Sequence, residues 1–290
     1  MTLTWPLVAA VLCGAALHAG WNAVVKATAD KAVDIALVSL GSGLLALPLL
    51  GLSGLPPRQS LLFIAASMSL HIAYYATLAG AYRHGELGQT YPVMRGTAPL
   101  LVALASAALL GEAPSAVAWL GIGGIAAGVL AVGLSRSHGA GHWPKALGYA
   151  LANATMIAGY TLVDSLGVRA SVQAGHGAMA YVMLLFVVNT LPFAALLWWQ
   201  RDAAGRAAMR SLARSRWMFA LFGGAASIGS YAIALWAMTR APVASVAALR
   251  ETSVLFAALL GSWLLKERFG VQRALGTALI VAGVVGLRLG

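Results

Sequence analysis

Ten apolar stretches, near 4–26, 33–52, 60–82, 87–110, 116–135, 146–168, 178–199, 217–239, 243–265 and 271–289, take up most of the 290 residues. Each has the length of roughly 20 residues that an α-helix needs to cross hydrocarbon. The breaks between them are short: Pro56-Pro57-Arg58, Gly111 to Pro114, Ser135 to Pro144 and Ala241-Pro242. Only 9% of residues are charged, against about 25% in a soluble domain. The expected fold is therefore an all-α integral membrane protein of ten transmembrane helices, with no room for a sizeable soluble domain.

The second constraint is a repeat. Shifting the chain by 155 positions lays Arg95 on Arg250, Glu112 on Glu267, Gly121 on Gly276 and Gly128 on Gly283. A weaker match at an offset of 139 lays Ala19-Gly20-Trp21-Asn22 on Ala158-Gly159-Tyr160-Thr161. The difference of 16 residues is absorbed by the polar segment between Gln200 and Arg216, which should lie on the membrane interface. Two copies of five spans, an odd number, enter the membrane in opposite senses, and inverted repeats of this kind place a substrate site between the halves near the midplane. The expected organisation is a first repeat over 1–135, a linker over 136–145 and a second repeat over 146–290, around a central cavity.

The net charge of +11 does not indicate a nucleic-acid partner, because the basic residues are scattered through loops without interleaved aromatics. Beside membrane spans they set topology and meet anionic lipid. Loops on the side of the termini hold four of them (Arg58, Arg169, Arg240, Arg288), and loops on the other side hold thirteen, five of these between Arg201 and Arg216. By the positive-inside rule both termini then lie outside. Cys13 is the single cysteine, so no internal disulfide is expected. Met1 to Pro6 has no basic n-region, and the first apolar stretch is expected to be a retained span.

A guanidinium at membrane depth costs at least about 2.5–3.5 kcal/mol. Arg95 and Arg250, which bear that cost at matching positions, are the foremost site candidates, since each offers a planar fork of donors to a carboxylate or phosphate. Glu251 is expected to pair with its neighbour Arg250. Arg95 has Tyr91 one turn away and prolines 92 and 99 on either side, so the fourth helix should kink where the ninth need not. Arg95 is thus expected to touch substrate, and Arg250 to hold a gate or scaffold.

Further substrate-binding candidates lie on polar faces that should turn inward. Span one presents His18, Trp21 and Asn22, span three His71, Tyr74 and Tyr75, and span six a stripe of Asn153, Met156, Tyr160 and Asp164. Helix–helix hydrogen bonding is the plainer role for these faces. Asp164 suits either a substrate ammonium or an ion pair near a helix end. Glu112 and Glu267 precede helices and are expected to cap them. His138 and His142 lack a third ligand, so no metal is expected, and nothing calls for a cofactor.

Ten spans, the five-plus-five repeat, Leu109-Leu110-Gly111-Glu112 and Leu264-Leu265-Lys266-Glu267-Arg268 before Gly-rich spans, and Ala19-Gly20-Trp21-Asn22 together resemble the drug/metabolite transporter superfamily, and within it the EamA branch. The resemblance covers essentially the whole chain. It implies a bacterial-type inner-membrane protein that exports or exchanges small metabolites, closest in style to exporters of aromatic amino acids and methionine. It also implies termini in the cytoplasm, against the charge distribution, and the residues leave the orientation open. Three alternatives remain: exchange or import of anionic or phosphorylated metabolites, drug export, and intramembrane catalysis. The last is disfavoured because no GxSxG or HExxH motif and no close pair of membrane acids is present. The expected partners are a small-molecule substrate and the lipid bilayer. Monomer and homodimer both fit.

Overall fold

The computed structural model describes residues 3–26, 31–134, 143–264 and 270–290. They form helices and no strand. In chain order the helices are α1 (Trp5–Lys26), α2 (Lys31–Ser53), α3 (Arg58–His84), α4 (Leu87–Leu110), α5 (Ala116–Leu134), α6 (Trp143–Gln173), α7 (Ala178–Gln200), α8 (Ala203–Ser215), α9 (Trp217–Met238), α10 (Val243–Glu251), α11 (Ser253–Leu264) and α12 (Val271–Leu289). Among the described residues, nine segments are long and apolar enough to cross a membrane, α10 running on into α11 as one of them. The 22-residue α1, more polar towards its end, packs among them against α9, α10 and α11.

The chain turns between spans where backbone freedom allows it. Gly54, Gly111 and Gly175 adopt positive φ, and Gly111 closes α4 in the left-handed conformation, its N–H bonding the Ser106 carbonyl. A side chain at that position would be strained.

Packing follows the repeat. α3 and α4 pack on α6 as α9 and the α10–α11 pair pack on α1, while α2 meets α7, α4 meets α10 and α5 meets α12, each pair being two equivalent helices. The α5–α12 contact is the closest. A Cβ built on Gly121 would sit 2.8 Å from the Gly283 carbonyl oxygen, and one on Gly128 would sit 2.6 Å from that of Gly276. The glycines that match along the sequence thus cross over and meet on the two-fold axis. Apolar burial supplies no net drive in lipid, so backbone approach of this kind is what holds such helices together.

Both termini lie on one face, where Arg288 stacks over Trp5 at 5.6 Å and Gly290 lies against Ser115. The opposite face carries α8, an amphipathic helix capped by Asp202, whose carboxylate accepts from the Gly205 N–H at 2.8 Å. The segment expected at the interface is therefore helical. It is fastened through Arg206, which donates to the Trp198 carbonyl, and through Arg216, whose Nη1 reaches both oxygens of the buried Asp34 on α2 at 2.6–2.7 Å.

The fourth and ninth spans differ in continuity. α4 is unbroken with both prolines inside it, Pro92 seated in the notch left by Gly133 of α5. The ninth span is divided instead, at Thr252. There the threonine hydroxyl donates to the Leu249 carbonyl at 2.7 Å, and both the Thr252 and Leu255 N–H groups form three-residue bonds. A hydroxyl that competes for a helix carbonyl tightens and bends the turn. Thr97, its counterpart in the first half, stays within the continuous α4.

Candidate functional site

Arg95 enters from one face of the membrane and Arg250 from the other. They stand 8 and 7 residues beyond the first residues of α4 and α10, about 10–12 Å along each helix at 1.5 Å per residue. Because the halves are inverted, the two guanidinium groups converge on the middle of the bundle. His18 and Tyr160 lie within electrostatic reach of both.

Their partners differ from the sequence expectation. Glu251 pairs across the two-fold with Arg95, Nε to Oε2 at 2.8 Å, with side-chain exposures of 10% and 6%. Neighbours on a helix point about 100° apart, so Glu251 turns to α4 while Arg250 turns elsewhere. The 2.8 Å approach lacks hydrogen-bond alignment. It is a charge contact through one edge of the guanidinium. Arg250 instead lies over the ring of Tyr231 on α9, 4.8 Å from its centroid. No carboxylate pairs with Arg250 among the described residues. It also stands in the last turn of α10, where a cation meets the negative end of the helix dipole. The break at Thr252 creates that helix end.

Around the arginines stand the aromatic faces. On α3, His71 stacks on Tyr160 at 4.3 Å, with Tyr74 edge-on to both and to Tyr75. The His71 ring nitrogen Nδ1 lies 2.8 Å from the Ser67 carbonyl, which places a proton on Nδ1, since a carbonyl only accepts. Asn153 donates to the Tyr74 carbonyl and to Thr77, joining α6 to α3, while its Oδ1 is buried without a protein partner. On α1, His18 and Trp21 form a T-shaped pair at 5.4 Å, and Asn22 donates to the His18 carbonyl. Trp21 Nε1 is buried and has no protein acceptor, a donor available within the bundle. Tyr91 lies 6.0 Å from the Arg95 guanidinium.

Asp164 forms no ion pair among the described residues. It is fully buried and accepts hydrogen bonds from Tyr181 of α7 at 2.8 Å and Tyr231 of α9 at 2.5 Å. Tyr231 therefore touches Asp164 with its hydroxyl and Arg250 with its ring. Sequence reasoning missed it because a lone tyrosine in an apolar span looks like ordinary membrane packing.

Glu112 does cap a helix, though not the one that follows it. Its Oε2 accepts from the N–H of Val243, the first residue of α10 in the other half, and its Oε1 meets Arg169 at 2.6 Å. Arg169 donates onward to the Met238 and Ala241 carbonyls. α5 is capped by Ser115, which accepts from Ala118 N–H. Glu267, His138 and His142 lie outside the described residues, and among those described no group of ligands suits a metal. A groove of about 500 Å³ along α8, lined by Arg210 and Arg214, is on the surface and apart from this centre.

The fold, with its buried polar centre, is that of a multi-pass helical membrane protein. Residues 144–289, from α6 to α12, match the EamA-like transporter family, which is half of the chain, and the protein belongs to that family. A solved crystal structure of a protein superposes on it with a TM-score of 0.73 over 98% of this chain and 95% of that one, at 17% identity, and so shares its fold. No curated protein sequence matches it.

Proposed function

We propose that this transporter exports small amphiphilic metabolites, apolar and aromatic amino acids foremost, across a bacterial-type cytoplasmic membrane by alternating access. The observation that carries this reading is the unequal state of the two arginines. Arg95 is neutralised by Glu251, whereas Arg250 rests on Tyr231 without a carboxylate. Two arginines and one glutamate leave one open cationic fork, which suits one carboxylate. A phosphorylated metabolite with two negative charges would call for more. The substrate carboxylate takes Arg250 in this reading, and its apolar body lies among Trp21, His18, His71, Tyr74 and Tyr160. Arg95 with Glu251 holds the halves together, so the roles expected of the two arginines are exchanged.

The test is export of labelled amino acids from proteoliposomes, comparing wild type with Arg250→Ala and Arg250→Lys. Arg250→Ala should raise KM by roughly tenfold or more, about 1.4 kcal/mol of lost binding, with Arg250→Lys in between. An unchanged KM in Arg250→Ala would sink the assignment. Transport of phosphorylated compounds and of no amino acid would favour the anion-exchange alternative.

A further inference from the structure

We propose that Asp164 is the proton-carrying group of the transport cycle, and that Tyr231 links its protonation to the occupancy of Arg250. The second half of this statement rests on Arg250 being the carboxylate site.

The acids among the described residues divide cleanly. Glu86 and Asp202 are exposed. Asp34, Glu112 and Glu251 each meet an arginine, respectively Arg216, Arg169 and Arg95. Asp164 alone among them is buried with hydroxyls as its partners. A carboxylate locked to a guanidinium gains nothing from a proton. One enclosed by hydroxyls is satisfied in either state, because a tyrosine hydroxyl both donates and accepts.

The groups that face it come from every element packed on α6. α3 brings Ser67 and His71, α7 brings Tyr181, α9 brings Tyr231, and α6 itself supplies Tyr160. α4 and α10 bring Arg95, Glu251 and Arg250, whose fields reach Tyr160. Arg95 and Glu251 offset one another, so Arg250 is the unbalanced charge nearby, and Tyr231 stands between it and Asp164.

When Asp164 is ionised, it accepts from both tyrosines. When it is protonated, its hydroxyl donates, and one tyrosine hydroxyl must switch from donor to acceptor. If that tyrosine is Tyr231, the polarisation of the ring beneath Arg250 changes with it. The proton comes from water on the side to which the site is open and returns to water on the other side. No electrons move. A substrate carboxylate at Arg250 and a charge on Asp164 thus compete for one polarised tyrosine, as an exporter driven by proton entry needs.

Infrared difference spectra of the purified protein in lipid, taken across the pH range in which it stays folded, read the carboxyl directly and require no substrate. Wild type should show a protonated-carboxyl band that titrates, and Asp164→Asn should lack it. Tyr231→Phe keeps the ring under Arg250 and removes only the hydroxyl, so it should shift that band and serves if Asp164→Asn fails to fold. In proteoliposomes an inward proton gradient should speed amino-acid export severalfold in wild type. It should give no acceleration in Asp164→Asn, with exchange at zero gradient still measurable. A band insensitive to pH or unchanged in Asp164→Asn overturns the proposal, as does gradient-driven acceleration that survives in the variant. A titrating band in a protein that moves no amino acid would uphold the proton site and remove the amino-acid reading instead.

Discussion

Arg95 and Glu251 meet across the two-fold axis, 2.8 Å apart, although the sequence sets Glu251 beside Arg250. Both are almost fully buried, and the contact joins α4 of one half to α10 of the other. Each is the other's sole charged partner among the described contacts. Removing one partner of such a pair leaves a buried charge uncompensated, at a cost of about 3–5 kcal/mol.

Glu251→Gln and Arg95→Gln should therefore each lower thermal stability in detergent, while the double variant should lose much less than the sum. A double-mutant cycle on unfolding temperature measures this coupling. Strict additivity would mean that the pair carries no net interaction.

The Glu112 contacts predict a conformational effect. Arg169, Glu112 and the Val243 N–H tie the α4–α5 loop, the end of α6 and the start of α10 together on the face of the termini. Opening towards that face must break them. With Cys13→Ser giving a cysteine-free background, Ala241→Cys should be protected from a membrane-impermeant maleimide, since Ala241 is buried. Glu112→Gln should raise its labelling rate severalfold. Equal rates would show that these contacts do not hold that face shut.

Glycine crossing at α5 and α12 predicts a sharp contrast. Gly128→Ala and Gly283→Ala bring a methyl within 2.6 Å of a backbone carbonyl oxygen, which cannot turn aside. Each should lower stability by about 1–3 kcal/mol, the usual cost of overpacking. Gly123→Ala, which meets nothing within 4 Å, should be neutral. Melting curves of the three variants decide the matter, and similar losses at all three would contradict the packing.

Orientation is open to a direct check. Arg210 and Arg214 are exposed on α8, on the face away from the termini. The positive-inside rule then keeps α8 in the cytoplasm and the termini outside. Alkaline phosphatase fused after Gly290 should be active in cells. A fluorescent protein that lights at that position would instead support termini in the cytoplasm.

Much is legible in the chain itself. Segment length and apolarity gave the spans, because lipid demands that each segment satisfy its own backbone hydrogen bonds. The 155-residue offset gave the two halves and the matched arginines, because duplication leaves its mark along the chain. Tertiary structure decided the pairings. Adjacent residues on a helix diverge by about 100°, so Glu251 leaves Arg250 for Arg95, and Glu112 caps a helix 131 positions away. The ninth span is divided at Thr252, whose hydroxyl takes a carbonyl of its own helix, while α4 runs on through Pro92 and Pro99 with Pro92 seated in the notch at Gly133. The sequence set which polar groups had to be hidden from lipid. Which of them met, and which arginine was left open, depended on how the two inverted halves were brought face to face.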